Sequence, residues 1–148
     1  RIQSRSELSA PNEIAPDTDI LLGDSMGEMS FYCALSDVAL MGGSFLNYGC
    51  QNLIEPCSSG VPVIVGPSTF NFSEVAARAI EEKAAAQVMD FREGLERAAK
   101  LLSNAEVLKE KSENAVRFAS SYTGATDRTM TVLDKIWKKQ PLGSFPTF

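Results

Sequence analysis

At 148 residues, with 44% apolar and 22% charged side chains, the chain can fold as one domain around its own core and is too apolar for wholesale disorder. Its formal net charge of −5 argues against a general grip on nucleic acid, which relies on clustered lysine and arginine. The absence of histidine removes His-based triads, His metal sites and His general bases together, and three cysteines at spacings that match no zinc pattern read as small buried thiols of a reducing compartment.

Residues 1–10 are polar and without a clear period, and Pro11 and Pro16 punctuate the loop that follows. The chain opens at Arg1 with no clean first element, which reads as a piece of something longer. A strand is predicted at Ile20–Leu22, closed by Gly23. Ser25 and Glu28 fit a Ser-x-x-Glu capping box, so a helix is expected from there to about Ser36, with Met29, Tyr32 and Cys33 on one face. Val38–Met41 reads as the next strand and Asn52–Ser59 as a short helix, ended by Gly60 at the C′ position. Val61–Gly66 forms a third strand, far short of the roughly 18 apolar residues of a membrane helix, and no signal peptide is visible. Short β-rich runs joined by helices, with no hairpin turn between them, predict parallel pairing through right-handed crossovers.

A turn-rich loop at 66–72 precedes a helix at Ser73–Lys83, with Val75 and Ala79 inward and Ala76 beside them. Ala84–Asp90 reads as a fourth strand. The last third is helical. Asp90 and Glu93 make a second capping pair, behind which Phe91, Leu95, Ala98 and Leu102 mark one face. Asn104 caps a further helix with Leu108, Ala115 and Tyr122 inward, and Gly124 breaks it. A final helix carries Met130, Leu133 and Trp137 on one stripe, Lys138 and Lys139 form its solvated end, and the tail is irregular.

The stretch from Val38 to Glu55 suggests a pocket. An apolar strand, a glycine-rich turn and a helix N-terminus are how α/β proteins hold a phosphate or a nucleotide. Two helix starts, Asp24–Glu28 and Gly49–Glu55, lie behind strands and are expected on the same sheet edge, where free N–H groups and the helix dipole favour an anion. A ligand-free account competes. Glu28 and Glu55 each fit the third helical position behind a capping residue, and a capping box needs no ligand. Gly27 weighs the other way, because glycine in a first helical turn costs about 0.5–1 kcal/mol relative to alanine. Gly42, Gly43 and Gly49 within eight positions are also more easily explained by a ligand loop. Pro56 would stiffen the backbone after Glu55, whose carboxylate suits two neighbouring hydroxyls, as on a ribose. Asn71 could face the same edge or form a turn, and Tyr48 could stack on a base or pack. Arg78, Arg92, Arg97 and Arg117 have acidic neighbours and read as solvated pairs. No set of carboxylates with a base completes a catalytic centre.

The segments LLGDSMGEM, DVALMGGSF and QNLIEPCSSGVPVIVGPSTFNFSE, in this order, resemble the C-terminal half of 3-deoxy-D-manno-octulosonic acid (Kdo) transferases, specifically between Asp19 and Glu74. The resemblance implies a Rossmann-like GT-B C-terminal domain, a parallel sheet flanked by helices with a helical C-terminal third, occupying residues 1–148 as a single nucleotide-sugar-binding domain. It implies that Met26, Gly27, Glu28 and Asn52, Leu53, Ile54, Glu55 contact the nucleotide of the donor CMP-Kdo. The acceptor, a lipid A precursor, and the catalytic glutamate base would belong to an N-terminal domain absent from this chain, as would a membrane anchor at the cytoplasmic face of the inner membrane. No catalytic residue is expected within the chain, and neither a metal nor another cofactor is implied. The sequence departs from the family pattern at Cys50-Gln51, where Gly-His is usual, and at Ser68, where His is usual. Two other readings stay open: a GT-B transferase using a UDP- or GDP-sugar, and a non-catalytic α/β binding domain whose glutamates only cap helices.

Overall fold

The computed structural model describes residues 1–9 and 14–138. Strands β1 (Ile2–Ser4) and β2 (Ile20–Leu22) pair in parallel, with Ile2 opposite Ile20. Strands β3 (Ala39–Met41), β4 (Val63–Val65) and β5 (Ala85–Gln87) form a second parallel ladder in that order. The expected strands are therefore present and parallel, and the polar start of the chain supplies β1. They form two ladders rather than one sheet, because no described strand bridges β2 to β3.

The core lies on the second ladder. Val63, Ile64 and Val65 are buried on both faces of the central strand, which explains its unbroken apolar run. Below it lie α2 (Ile54–Ser58), α3 (Ser73–Glu81) and α5 (Ala105–Ser120), which contribute Cys57, Ala76, Ala79, Ala115 and Phe118 to one cluster, joined by Leu53 at the N-cap of α2. On the other face Ile64 and Val88 meet Ala98 and Leu101 of α4 (Phe91–Leu102). Gly60 closes α2 at φ +77°, with its N–H on Cys57 C=O and that of Val61 on Pro56 C=O, a Schellman motif. Asp90 and Asn104 cap α4 and α5 through Glu93 N–H and Val107 N–H, as expected.

One helix face differs from expectation. The α4 face turned inward is Gly94, Ala98 and Leu101, whereas Phe91, Leu95 and Leu102 are half exposed. Small residues bring this helix close: a Cβ on Gly94 would stand 3.1 Å from the Phe45 ring. In α5 the expected face holds: Ala115 is buried with Phe118 and Ala119, Leu108 packs on the second cluster, and Tyr122, just past the helix end, packs edge-on against Phe118. Helix α6 (Ala125–Trp137) begins after Gly124 at φ +79°, and its stripe of Met130, Leu133 and Trp137 faces outward. Residues 10–13 of the proline loop, Lys139 and the tail lie outside the described residues.

Candidate functional site

The first helix start is not a capping box. Helix α1 (Met29–Ala34) begins one residue after Glu28, and Gly27 stands before it at φ +80°, with open space where a Cβ would be. Glycine is favoured there for its left-handed backbone rather than inside a helical turn. The Ser25 hydroxyl donates to the Glu28 carboxylate itself, and Arg5 Nη2 donates to the same carboxylate at 2.8 Å. Ser25 Oγ also lies 3.2 Å from the Tyr32 hydroxyl, whose ring covers Gly23. Asp24 accepts from Ser6 N–H at 2.8 Å and from Ser6 Oγ at 2.6 Å. The Ser25 hydrogen bond, with Arg5 nearby, holds Glu28 below the usual carboxylate range, and the two Ser6 bonds do the same for Asp24. Arg5 and Ser6 were not singled out in the sequence. Their partners lie 23 and 18 residues away, beyond any local pattern.

The second start is built from crossed loops. After β3, residues Gly42–Phe45 make a 3₁₀ turn whose buried Ser44 donates Oγ–H to Met41 C=O at 2.5 Å and accepts Gly66 N–H at 2.7 Å. This ties the end of β3 to that of β4. Asn71 spans the next two loops, accepting Cys50 N–H at 2.8 Å and donating to Cys50 C=O at 2.7 Å. Gly49, at φ +78°, lies so close to the Asn71 carboxamide that no side chain fits. Ser68, where a histidine is usual in the resembling family, accepts Gly49 N–H at 3.1 Å. Tyr48 is 77% exposed and so is free of the core.

Asn52 accepts Ile54 N–H at 3.0 Å, as a helix-starting Asn does. Leu53 is wholly buried and Ile54 packs on the core, so their side chains are structural. Between α1 and α2 lies a cavity of about 280 Å³, walled by Met29, Tyr32 and Cys33 on one side and by Asn52, Glu55 and Pro56 on the other. Gln51 also reaches it. The structure thus joins Asn52 and Glu55 to the helix that follows Glu28. Met26, Gly27 and Glu28 themselves are not among its lining residues, and Met26 stands fully in solvent.

Burial raises the Cys33 thiol, reinforced by the Glu55 carboxylate, and burial pushes Cys57 up to about 12. Neither thiol is poised to act as a thiolate nucleophile. Among the described residues no cluster of three or more His, Cys, Asp or Glu side chains is placed to hold a metal ion, and no helix is long and apolar enough to cross a membrane.

No family model matches the sequence. Individual relatives do. A 3-deoxy-D-manno-octulosonic acid transferase from Bordetella pertussis is 48% identical over 122 residues, 82% of this chain and 28% of its own length. One from Haemophilus influenzae is 39% identical over 111 residues, 75% of this chain and 25% of its own. The chain thus spans about a quarter of the length of the curated relatives it matches. Among solved structures, the C-terminal CMP-Kdo binding domain of WaaA from Acinetobacter baumannii superimposes with a TM-score of 0.72 at 30% identity, covering 79% of this chain and 60% of that one. The chain is therefore homologous to the 3-deoxy-D-manno-octulosonic acid transferases and belongs to the C-terminal part of that family, whose α/β fold it shares.

Proposed function

We propose that this chain is the donor-binding half of an inverting GT-B Kdo transferase, which as a whole protein moves Kdo from CMP-Kdo to a lipid A precursor in lipopolysaccharide biosynthesis. One observation carries the reading: the cavity where Asn52 and Glu55 converge belongs to a domain whose solved relative is named for binding CMP-Kdo. Glu55 accepts the two ribose hydroxyls. Backbone N–H groups of Asn52, Leu53 and Glu55 and those at Met26–Glu28 face the donor phosphate, the Ile54 N–H being held by Asn52, while the side chains of Leu53 and Ile54 stay in the core. Glu28 acts from its bond to Arg5, which fixes the Met26-Gly27 turn. The catalytic base and the acceptor site belong to a separate N-terminal domain, so residues 1–148 alone bind the donor without transferring it. The whole protein works at the cytoplasmic face of the inner membrane.

The test is titration of the chain with CMP. Glu55→Ala is expected to weaken binding by about 1–3 kcal/mol, the scale of a lost charged hydrogen bond. Equal binding of CMP by wild type and variant would remove Glu55 from the site. Tighter binding of UMP or GMP than of CMP would assign a different sugar nucleotide. No binding of any of the three would leave α2 as a structural helix start.

A further inference from the structure

A second cavity of about 300 Å³ runs along β5, lined by residues 83–87 and by Pro62 and Val63 at the start of β4. Lys83, Arg97 and Lys111 line it, and no aspartate or glutamate does. Three cations around one hollow stand out in a chain of net charge −5. Lys111 has a carboxylate neighbour, Glu110, at 3.6 Å. Lys83 and Arg97 have no ion pair or side-chain hydrogen bond among the described residues, so the solvated pairing expected for Arg97 is not formed.

Two further features converge on the same hollow. Ala84 C=O and Val88 N–H bond to β4, so in the alternating pattern of a strand Ala85 and Gln87 turn their N–H groups toward the open edge. Lys83 stands at φ +59°, the only non-glycine residue with positive φ among the described residues. Its N–H bonds to Ile80 C=O and that of Ala84 to Ala79 C=O, the Schellman closure in which glycine is the usual residue. The chain places an ammonium group at a backbone position where glycine would be relaxed, and that side chain lines the cavity.

We infer that the β5 edge cavity is a binding site for a compact phosphate-bearing anion, distinct from the site between α1 and α2. Arg97 supplies the planar donor fork, Lys83 and Lys111 supply point charges, and the edge N–H groups of β5 supply fixed donors. Apolar Leu101 on the wall fits a small organic body attached to the phosphate. The hollow is too small for a folded partner, which favours a small molecule over a macromolecule.

The test is a nuclear magnetic resonance titration of the chain at low salt with inorganic phosphate and then phenyl phosphate, with CMP added to a parallel sample. Both phosphates are expected to shift the Ala85 and Gln87 amides saturably, with phenyl phosphate the tighter. Arg97→Gln is expected to weaken the effect about tenfold, a typical loss for one charge-assisted contact. Lys83→Gly, which suits the local backbone, should weaken it without unfolding the chain. CMP is expected to shift the Asn52–Glu55 amides whether or not its phosphate also reaches the β5 cavity, so the two sites are read at separate amides and failure of either is seen separately. The inference is overturned if the shifts do not saturate, if Arg97→Gln leaves them unchanged, or if only an acidic peptide moves these amides, in which case the edge accepts a strand.

Discussion

Glu28 shows how far a residue's partners can differ from those its spacing suggests. Ser-x-x-Glu predicts bonds to backbone N–H groups, but the serine donates to the glutamate, which also accepts from Arg5. Gly27 explains it: a left-handed residue between the two cannot lie in a helical turn, so α1 starts only at Met29. These bonds set a pH dependence. Asp24 and Glu28 have lower values in the folded chain than their ordinary 3.8 and 4.5. Their contribution to stability is therefore complete above those ordinary values and is lost as pH falls through the folded-state values. Ser25→Ala removes the largest cause at Glu28, and its carboxyl carbon resonance should then titrate closer to 4.5.

At the scale of elements, the α3–β5 junction carries a stability prediction. Lys83 adopts a left-handed backbone that a side chain disfavours, so Lys83→Gly is expected to raise the unfolding free energy by up to about 1 kcal/mol, part of the relief being offset by the freer unfolded glycine. Urea denaturation measures it. The motifs made by neighbouring residues were legible in the sequence: the Asp90 and Asn104 caps, the Gly60 closure of α2 and the four strands recognised by their apolar runs. Strand β1 was harder, since Ile2, Gln3 and Ser4 carry no apolar run and are ordered by pairing with β2. The inward face of α4 was misread because the apolar residues are the large ones, while the residues that touch the sheet are Gly94 and Ala98, chosen for closeness. In the site, Asn52 and Glu55 were readable from a local helix start. Tyr32 and Gln51 were not assigned to it, because the wall they complete exists only once α1 and α2 pack side by side.

For the whole molecule, the division of labour follows the sheet. The carboxyl ends of β3 and β4 are stitched through Ser44, and their following loops through Asn71, which gives the α2 start a rigid frame. The first helix start instead depends on Arg5 and Ser6, in the turn that follows β1 of the smaller ladder. The apolar stripe of α6 adds nothing to either core, and Trp137 is 87% exposed.

The separation of the two ladders has a consequence for motion. A two-stranded parallel ladder with half-exposed Ile20 and Leu22 opens at a smaller free-energy cost than β4, which is buried on both faces. The amides of β1 and β2 are expected to exchange with solvent deuterium faster than those of Val63–Val65. Equal protection of the two ladders would mean that they open as one cooperative unit. Because Arg5 directly follows β1, each such opening frees the Glu28 carboxylate from Arg5 and leaves it on Ser25 alone, while the Asn52–Glu55 side of the molecule stays closed.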